Sequence, residues 1–286
     1  MNLALALKPR YSIISARTIG RLAQRALYLE LLCYPKPGLV SPWDRGSHTD
    51  MGAVTFLRSI ASLADYFPAI AAAGAESAPF SRLQDLGRGA EQRMLQATAG
   101  ANTHRGAIFH LGLLAAAAGL LNAMGVSFSG LVLSRCVRER WGRDIADEIN
   151  PGSHGYFTWK KYGVKGARHE AVAGFPHVFD IGLPALQASL ARGADLPRAM
   201  VQCFFVLMAN LEDTNLLYRG GIPGMTWAQS AARDFLDNGG IFQPSWFARA
   251  LKAHRALVAR RLSPGGCADM LAAVLFVHDL QEHADA

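Results

Sequence analysis

A long apolar run from Ala107 to Met124 constrains this chain more than any other stretch. It contains no charged residue, so a helix formed here must be buried on several sides or lie in a membrane. Its many alanines, together with His110 and Asn122, favour a buried core helix. The rest of the chain must therefore supply the apolar faces that surround this helix.

A polar break, Gly100 to Gly106, directly precedes this run. Asn102 and Thr103 are residue types that cap a helix by accepting hydrogen bonds from its first backbone N–H groups. His104 and Arg105 then lie at the positive end of the helix, where an anion such as a phosphate would bind. The alternative is an ordinary helix cap with two exposed basic residues.

Helical patterns dominate the whole sequence. Hydrophobic residues make up 51% of the chain and charged residues 18%, a composition that favours helices buried on several sides. Strand-like alternation, internal repeats and low-complexity linkers are hardly visible. We therefore predict an all-α fold: a single globular multi-helix domain over residues 1–286 with long functional loops. Helices are predicted at about 13–32, 53–73, 82–98, 105–124, 129–141, 180–192, 195–212, 225–238, 244–260 and 265–282.

The segment from 150 to 184 has a different composition, rich in glycine and proline, and we predict a long irregular segment there. Long loops in a compact protein are usually functional. Arg168 and Glu170 lie within this segment and could pair with each other or with a ligand. A surface ion pair of little energetic value is the alternative.

The chain is basic, with a formal charge of +7 and a pI of about 9.5, so an anionic partner is plausible. Its basic residues form no long block and do not alternate with aromatic residues, which disfavours nucleic acid. The four cysteines form no C-x-x-C pair and are interpreted as reduced thiols. The N-terminus lacks the order of a signal peptide, so a cytoplasmic protein is expected.

A second polar cluster follows the first predicted helix, which ends near Glu30. Lys36 lies in a Pro-Lys-Pro-Gly turn, whose prolines fix the direction of the chain, and could contact a phosphate. Asp44, His48 and Asp50 could hold Mg²⁺ or act as acid and base. The alternative is a solvated loop in which Asp50 caps the next helix.

The most specific cluster follows a strongly apolar run at 203–209. Glu212 and Asp213 emerge directly from this run, and adjacent carboxylates in such a place are costly unless they are paired or bound to a metal. Arg219 could pair with one of them, which would leave the other for catalysis or Mg²⁺. A purely structural salt-bridge network is the alternative.

A weaker cluster precedes the last predicted helix. Ser263 could cap that helix, and Gly265 and Gly266 would let the backbone approach a ligand closely. Asp269 could be a functional acid or a partner of the helix dipole. The sequence contains neither a P-loop nor a dinucleotide-binding glycine motif.

Five motifs occur in order along the chain: residues 35–41 with 46–48 and 50–51, 102–109, 174–176, 213–215 with 219–221, and 262–266. Together they resemble the motifs of the triphosphoribosyl-dephospho-coenzyme A synthase family, and the resemblance covers about residues 21–276. Arg105, together with Ser153-His154-Gly155 and Tyr162-Gly163, looks more like the branch associated with malonate decarboxylase than the citrate lyase branch. Gly52 stands where the family pattern has an acid, which weakens the metal role of its loop.

This resemblance implies an all-helical enzyme that joins ATP to 3′-dephospho-CoA and releases adenine. The 2′-hydroxyl of the acceptor would attack C1 of the ATP ribose, and the triphosphate would stay intact. The product would pass to a transferase that loads an acyl carrier protein. Mg²⁺ is the implied cofactor, a homo-oligomer is compatible with the sequence, and neither nucleic acid nor a membrane is an expected partner.

The resemblance also implies roles for individual residues. Glu212 or Asp213 would deprotonate or orient the hydroxyl and stabilise positive charge on the ribose, and His104 would assist the departure of adenine. Asp44, Asp50 and Asp213 are the candidate metal ligands. Candidate substrate-binding residues are Lys36, Ser41, His48, Asn102, Thr103, Arg105, Arg168, Glu170, Asn215, Arg219, Ser263, Gly265 and Gly266.

Three other functions compete with this interpretation. The same reaction could serve citrate lyase. A helical Mg²⁺-dependent hydrolase could cut the same type of bond in an ADP-ribose-like substrate, with water as the acceptor. A basic nucleotide- or RNA-binding module would release no adenine, and its affinity would fall steeply with salt.

Overall fold

The computed structural model describes residues 14–147, 154–164 and 166–285. Every regular element in those ranges is a helix, so the predicted all-α class is confirmed. The N-terminal segment considered above as a signal peptide lies outside the described residues. The α-helices are α1 Ala16–Leu32, α2 Ala53–Ser62, α3 Tyr66–Ala75, α4 Phe80–Ala97, α5 Arg105–Ala123, α6 Gly130–Asp147, α7 His154–Tyr162, α8 Ala167–Val172, α9 Leu183–Ala191, α10 Leu196–Asn210, α11 Thr214–Asp237, α12 Trp246–Ala259 and α13 Gly265–Asp285. A π-helical turn, His177–Gly182, leads into α9, and a 3₁₀ turn, Gly240–Phe242, precedes α12.

Helix α5 forms the centre of the fold and contacts α1, α3, α4, α6, α8 and α13. Its contact with α3 is close because both helices carry a glycine at the crossing. A Cβ atom on Gly74 would lie 2.0 Å from the carbonyl oxygen of Ala116, and one on Gly119 would lie 2.0 Å from that of Ala71. The two backbones therefore touch, and nothing larger than glycine fits at either position.

Helix α5 is the one helix in the described part of the chain that is long and apolar enough to cross a membrane. However, 78% of its apolar window is buried inside the fold. Burial of this extent is typical of a core helix, which agrees with the sequence interpretation.

Helix α13 lies beside α5 and contacts α1, α10 and α11. Residues 270–277 of this helix are all buried, so it forms a second central element. The four cysteines are free thiols, as expected, and burial raises the pKa of Cys33 to about 12.

The structure corrects three of the predicted boundaries. The helix predicted at 53–73 is divided into α2 and α3 by a turn at Leu63–Asp65. Helix α11 begins at Thr214, well before the predicted start at 225, and Gly221, whose backbone is non-helical with a φ of 62°, divides it into two segments at a kink. The described part of the predicted irregular segment is largely helical, because α7, α8 and the π-helical turn lie there.

Candidate active site

A cavity of about 1600 Å³ brings most of the predicted site residues together. The polar break before α5, the loop after α1, α8 and the first turns of α11 and α13 all contribute to its wall. Two of the predicted residues, Ser41 and Asp44, do not line it. The predicted residues that do are Lys36, His48, Asp50, Asn102, Thr103, His104, Arg105, Arg168, Glu170, Glu212, Asp213, Asn215, Arg219, Ser263, Gly265 and Gly266.

Ser41 and Asp44 hold the loop after α1 in shape. The hydroxyl of Ser41 accepts hydrogen bonds from the backbone N–H groups of Trp43 and Asp44, both at 3.3 Å. One carboxylate oxygen of Asp44 accepts from the N–H of Gly46 at 2.7 Å, and the other lies 3.2 Å from Nε2 of His254. Both side chains are therefore engaged within the loop and its support on α12.

The three predicted metal ligands are not assembled into one site. Asp44 lies outside the cavity, and Asp50 is an exposed residue on its rim. Asp213 is buried and its two oxygens are occupied by backbone groups. In the described ranges, no group of three or more His, Cys, Asp or Glu side chains is arranged to hold a metal ion. The set of Asp44, Asp50 and Asp213 therefore does not fit a Mg²⁺ site built by the protein alone.

Asp213 connects the first turns of α11 and α13. Its Oδ1 accepts from the backbone N–H groups of Asn215 at 2.8 Å and Leu216 at 3.2 Å, so it caps α11. Its Oδ2 accepts from the N–H of Cys267 in α13 at 2.9 Å. Burial raises the pKa of Asp213 against the opposing effect of these three N–H groups. The carboxylate thus satisfies N–H groups that would otherwise have no partner at two helix ends.

Gly265 and Gly266 allow this contact between the two helices. A Cβ atom on Gly265 would lie 2.8 Å from Nδ2 of Asn215, and one on Gly266 would lie 3.0 Å from Oδ2 of Asp213. The two glycines therefore allow α13 to approach α11 closely. Both residues also line the cavity.

Lys36 is buried in an ion pair with Glu30. The lysine is 1% exposed and the glutamate 3%. The ammonium group donates one hydrogen bond to the Glu30 carbonyl oxygen at 2.7 Å and a second to the Glu30 carboxylate. Burial raises the pKa of Glu30, and the charge of Lys36 opposes that shift. The sequence indicated Lys36 as a phosphate contact, but it did not reveal that an ion pair with Glu30 would neutralise its charge.

His104 is also buried at the cavity wall. Its Nδ1 lies 2.6 Å from Oγ of Ser59, and its Nε2 has no hydrogen-bond partner in the described part of the chain. Burial, assisted by the charge of Lys36, lowers the pKa of His104 to about 3. The imidazole is therefore neutral near pH 7 and can form a hydrogen bond with a ligand in that form.

The other residues of the polar break lie at the cavity rim. Asn102 accepts a hydrogen bond from the backbone N–H of Arg105 at 3.3 Å, close to the expected capping role. Arg105 pairs with Glu91 of α4 at 2.5 Å. Oγ1 of Thr103 is enclosed and has no partner among the described residues.

A hydrogen-bonded chain links Arg219, His48 and Ser263. Nη2 of Arg219 lies 3.3 Å from Nδ1 of His48, and Nε2 of His48 lies 2.8 Å from Oγ of Ser263. Burial, followed by the charge of Arg219, lowers the pKa of His48. A neutral His48 that accepts from Arg219 at Nδ1 donates from Nε2 to Ser263. The Ser263 hydroxyl can then donate its own hydrogen to a ligand in the cavity.

Glu170 pairs with His177, a residue that the sequence analysis did not identify. One carboxylate oxygen accepts from the backbone N–H of His177 and the other from its Nδ1, both at 2.8 Å. The hydrogen bond that His177 donates to the Glu170 carboxylate raises the pKa of His177. Arg168 lines the cavity nearby on α8.

Comparison with known proteins identifies the family. Residues 16–286 match the family model described as CitG: ATP:dephospho-CoA triphosphoribosyl transferase. The chain belongs to this family. No solved structure matches it.

Three relatives carry the corresponding name, 2-(5″-triphosphoribosyl)-3′-dephosphocoenzyme-A synthase, which is marked as probable for the first two. The protein of Stutzerimonas stutzeri is 40% identical, and the match covers 98% of each chain. That of Acinetobacter calcoaceticus is 38% identical over 92% of this chain and 90% of the relative. The protein of Pectobacterium atrosepticum is 37% identical, and the match covers 93% of this chain and 89% of the relative.

The cavity of this transferase exceeds the volume of about 300–1,000 Å³ that is typical of a pocket for one small ligand. Its volume of about 1600 Å³ is enough for two nucleotide-sized molecules. Glu212 is exposed at its edge, in contrast to its neighbour Asp213. Asp269, for which the sequence left open a functional acid or a partner of the helix dipole, also lines the cavity.

Proposed function

We propose that this chain joins ATP to 3′-dephospho-CoA, giving 2′-(5″-triphosphoribosyl)-3′-dephospho-CoA and adenine. One observation carries the proposal: a single cavity large enough for two nucleotides joins buried carboxylates to basic side chains. Carboxylates stabilise the positive charge that develops on a ribose when its N-glycosidic bond breaks. Basic side chains and helix N-termini bind phosphates.

In the proposed reaction, the 2′-oxygen of the acceptor forms a bond to C1 of the ATP ribose. The electron pair of the bond between C1 and adenine moves to the base, and the hydroxyl proton moves to a protein group. Glu212 fits this role better than Asp213, because both oxygens of Asp213 already accept backbone hydrogen bonds. Asp213 then contributes negative charge and holds α11 and α13 in position.

Phosphate binding is assigned to the basic residues of the cavity wall. Arg105, Arg168 and Arg219 reach it from three different elements, and the N-terminus of α5 adds backbone N–H groups. The Ser263 hydroxyl is a further donor, directed by His48. Lys36 contributes less charge than expected, since it is paired with Glu30.

Mg²⁺ would be held mainly by the triphosphate of ATP. This ion commonly binds through substrate phosphates and one or two carboxylates. Asp50, exposed on the cavity rim, is the one predicted ligand whose carboxylate is suited to this arrangement. The ion would neutralise phosphate charge and orient the triphosphate.

The direct test incubates the protein with ATP, Mg²⁺ and 3′-dephospho-CoA and measures adenine together with the mass of the conjugate. We expect both products, and neither when the acceptor is omitted. Adenine released without the acceptor would favour the hydrolase instead. Glu212→Gln should lower the rate without weakening ATP binding, whereas Glu139→Gln, at an exposed position on α6, should behave as the wild type.

We also propose that the product serves malonate decarboxylase rather than citrate lyase, through a transferase that loads an acyl carrier protein. Arg105 and Tyr162-Gly163 support this branch; Ser153 lies outside the described residues, as do the side chains of residues 154 and 155. The proposed substrates fit a cytoplasmic enzyme with one helical domain, and a homo-oligomer is compatible with it. A genome neighbourhood that encodes citrate lyase subunits instead would overturn the branch assignment.

A further inference from the structure

Three acids face the same end of the cavity, but their charges are compensated differently. Glu30 pairs with the ammonium group of Lys36. Asp213 accepts hydrogen bonds from three backbone N–H groups. In the described part of the chain, Asp269 has no ion pair, and the backbone N–H of Ala107 is the one hydrogen-bond donor that acts on it. Asp269 is therefore the acid with the least compensation.

The position of Asp269 depends on a glycine in the facing helix. A Cβ atom on Gly106 would lie 1.9 Å from Oδ2 of Asp269. The carboxyl group thus occupies space that any other residue at this position of α5 would fill. It remains partly open to the cavity, which both residues line.

The surroundings of Asp269 favour its neutral form. Burial, followed by the negative charges of Glu30 and Asp213, raises the pKa of Asp269 well above its usual value. The N–H of Ala107 opposes this shift only in part. Such surroundings shift a carboxyl group toward its protonated form, in which it can donate a proton.

His104 is the alternative proton donor in the same cavity, but it is poorly suited to the role. Its pKa of about 3 means that it carries no transferable imidazolium proton at neutral pH. Its Nε2 is enclosed, has no partner in the described ranges, and belongs to a side chain of the cavity wall that is 3% exposed. This ring nitrogen is therefore suited to a hydrogen bond with a bound ligand rather than to proton donation.

We propose that Asp269 is the general acid that protonates adenine as it leaves, an inference that rests on the proposed function. Adenine must gain a proton because its ring nitrogen receives the electron pair of the broken bond. Asp269 supplies that proton, while the acceptor hydroxyl loses its own to Glu212. Proton exchange with water then restores both carboxyl groups, so the cycle consumes no further reactant.

The main test is Asp269→Asn, which keeps the size of the side chain and its hydrogen bond to the Ala107 N–H while removing the acidic proton. We expect kcat to fall about 10²–10⁴-fold, the usual range for a lost general acid. The dissociation constant for ATP should stay within about threefold of the wild type, because the lost interaction belongs to the transition state. Wild-type kcat should also decrease as the pH rises through the pKa of Asp269, and the variant should lack this decrease.

Gly106→Ala provides a second test, because the new methyl group would displace the Asp269 carboxyl. It should lower kcat strongly, whereas Gly142→Ala, where the nearest atom to a new Cβ is 3.9 Å away, should leave it unchanged. Asp279→Asn, on the same helix and paired with Arg25, is the matched control for the acid.

Asp269→Asn with kcat within about threefold of the wild type, or with the same decrease at high pH, would overturn the inference while leaving the proposed function intact. Failure of the proposed function is a separate outcome. In that case the wild-type protein itself would release no adenine in the presence of both substrates.

Discussion

The capping role of Asp213 predicts a large and graded loss of stability on substitution. Asp213 is fully buried, with an exposed fraction of 0%. Asp213→Ala therefore leaves three buried backbone N–H groups without an acceptor. A buried donor that loses its partner costs about 1–3 kcal/mol. The three together should lower the free energy of unfolding by about 3–6 kcal/mol, allowing for water that enters from the cavity.

Asp213→Asn should retain part of this energy. The amide oxygen can still accept from Asn215 and Leu216, as asparagine does at many helix N-caps. Its NH₂ group, however, would face the N–H of Cys267, so one hydrogen bond is lost and two donors meet. We expect a loss of about 1–3 kcal/mol, clearly smaller than for the alanine variant.

Urea denaturation followed by circular dichroism would measure both values. Asp195→Ala is the matched control, because Asp195 caps α10 at an exposed site through one hydrogen bond, from Arg198 at 2.9 Å. Asp195→Ala should lower the free energy of unfolding by about 1 kcal/mol. If Asp213→Ala cost no more than Asp195→Ala, the reasoning would be refuted. If Asp213→Asn were fully stable but inactive, the residue would belong to the chemistry rather than to the caps.

Three further substitutions test other parts of the fold. Lys36→Met should lower the free energy of unfolding by about 3–5 kcal/mol, because Glu30 remains buried without its partner. Adding Glu30→Gln should recover much of that loss, as measured by urea denaturation. The raised pKa of His177 contributes stability that is fully present below its unfolded value of about 6.5 and is lost as the pH rises through the folded pKa. Glu170→Gln should therefore destabilise the protein more at pH 6 than at pH 9, and an equal effect on the melting temperature at both would contradict this. Gly119→Ala should lower the free energy of unfolding by at least about 1–3 kcal/mol, because its Cβ would lie 2.0 Å from a backbone oxygen of α3. A melting temperature equal to that of the wild type would show that α3 and α5 are not in backbone contact.

The sequence was most informative where local patterns decide the outcome. The apolar run at 107–124 was correctly interpreted as a core helix, because its composition leaves few other possibilities. Spaced motifs identified the family, and most of the site residues predicted from the sequence do line the cavity. Helix boundaries were less predictable: the pattern predicted a helix from 225, whereas α11 already begins at Thr214 and is divided by a kink at Gly221.

Partnerships between distant residues could not be predicted in the same way. The sequence placed Glu212 and Asp213 together as equivalent carboxylates, but Asp213 is buried and Glu212 is exposed. Asp44 had the residue type of a metal ligand, yet its oxygens are engaged by Gly46 and His254. Each outcome depends on which surface a side chain meets after packing, and local composition does not specify that surface.

The sequence by itself thus determined the all-α class, the burial of α5, the family and the polar segments from which the cavity is built. Tertiary structure decided the ionisation and the partner of each polar group. Lys36 is neutralised by Glu30, and the pKa of Asp269 is raised because the fold buries its carboxyl group and places it near Glu30 and Asp213. The physical reason is that desolvation and charge interactions depend on distances in the folded chain, whereas helical periodicity and motif spacing are properties of neighbours in the sequence.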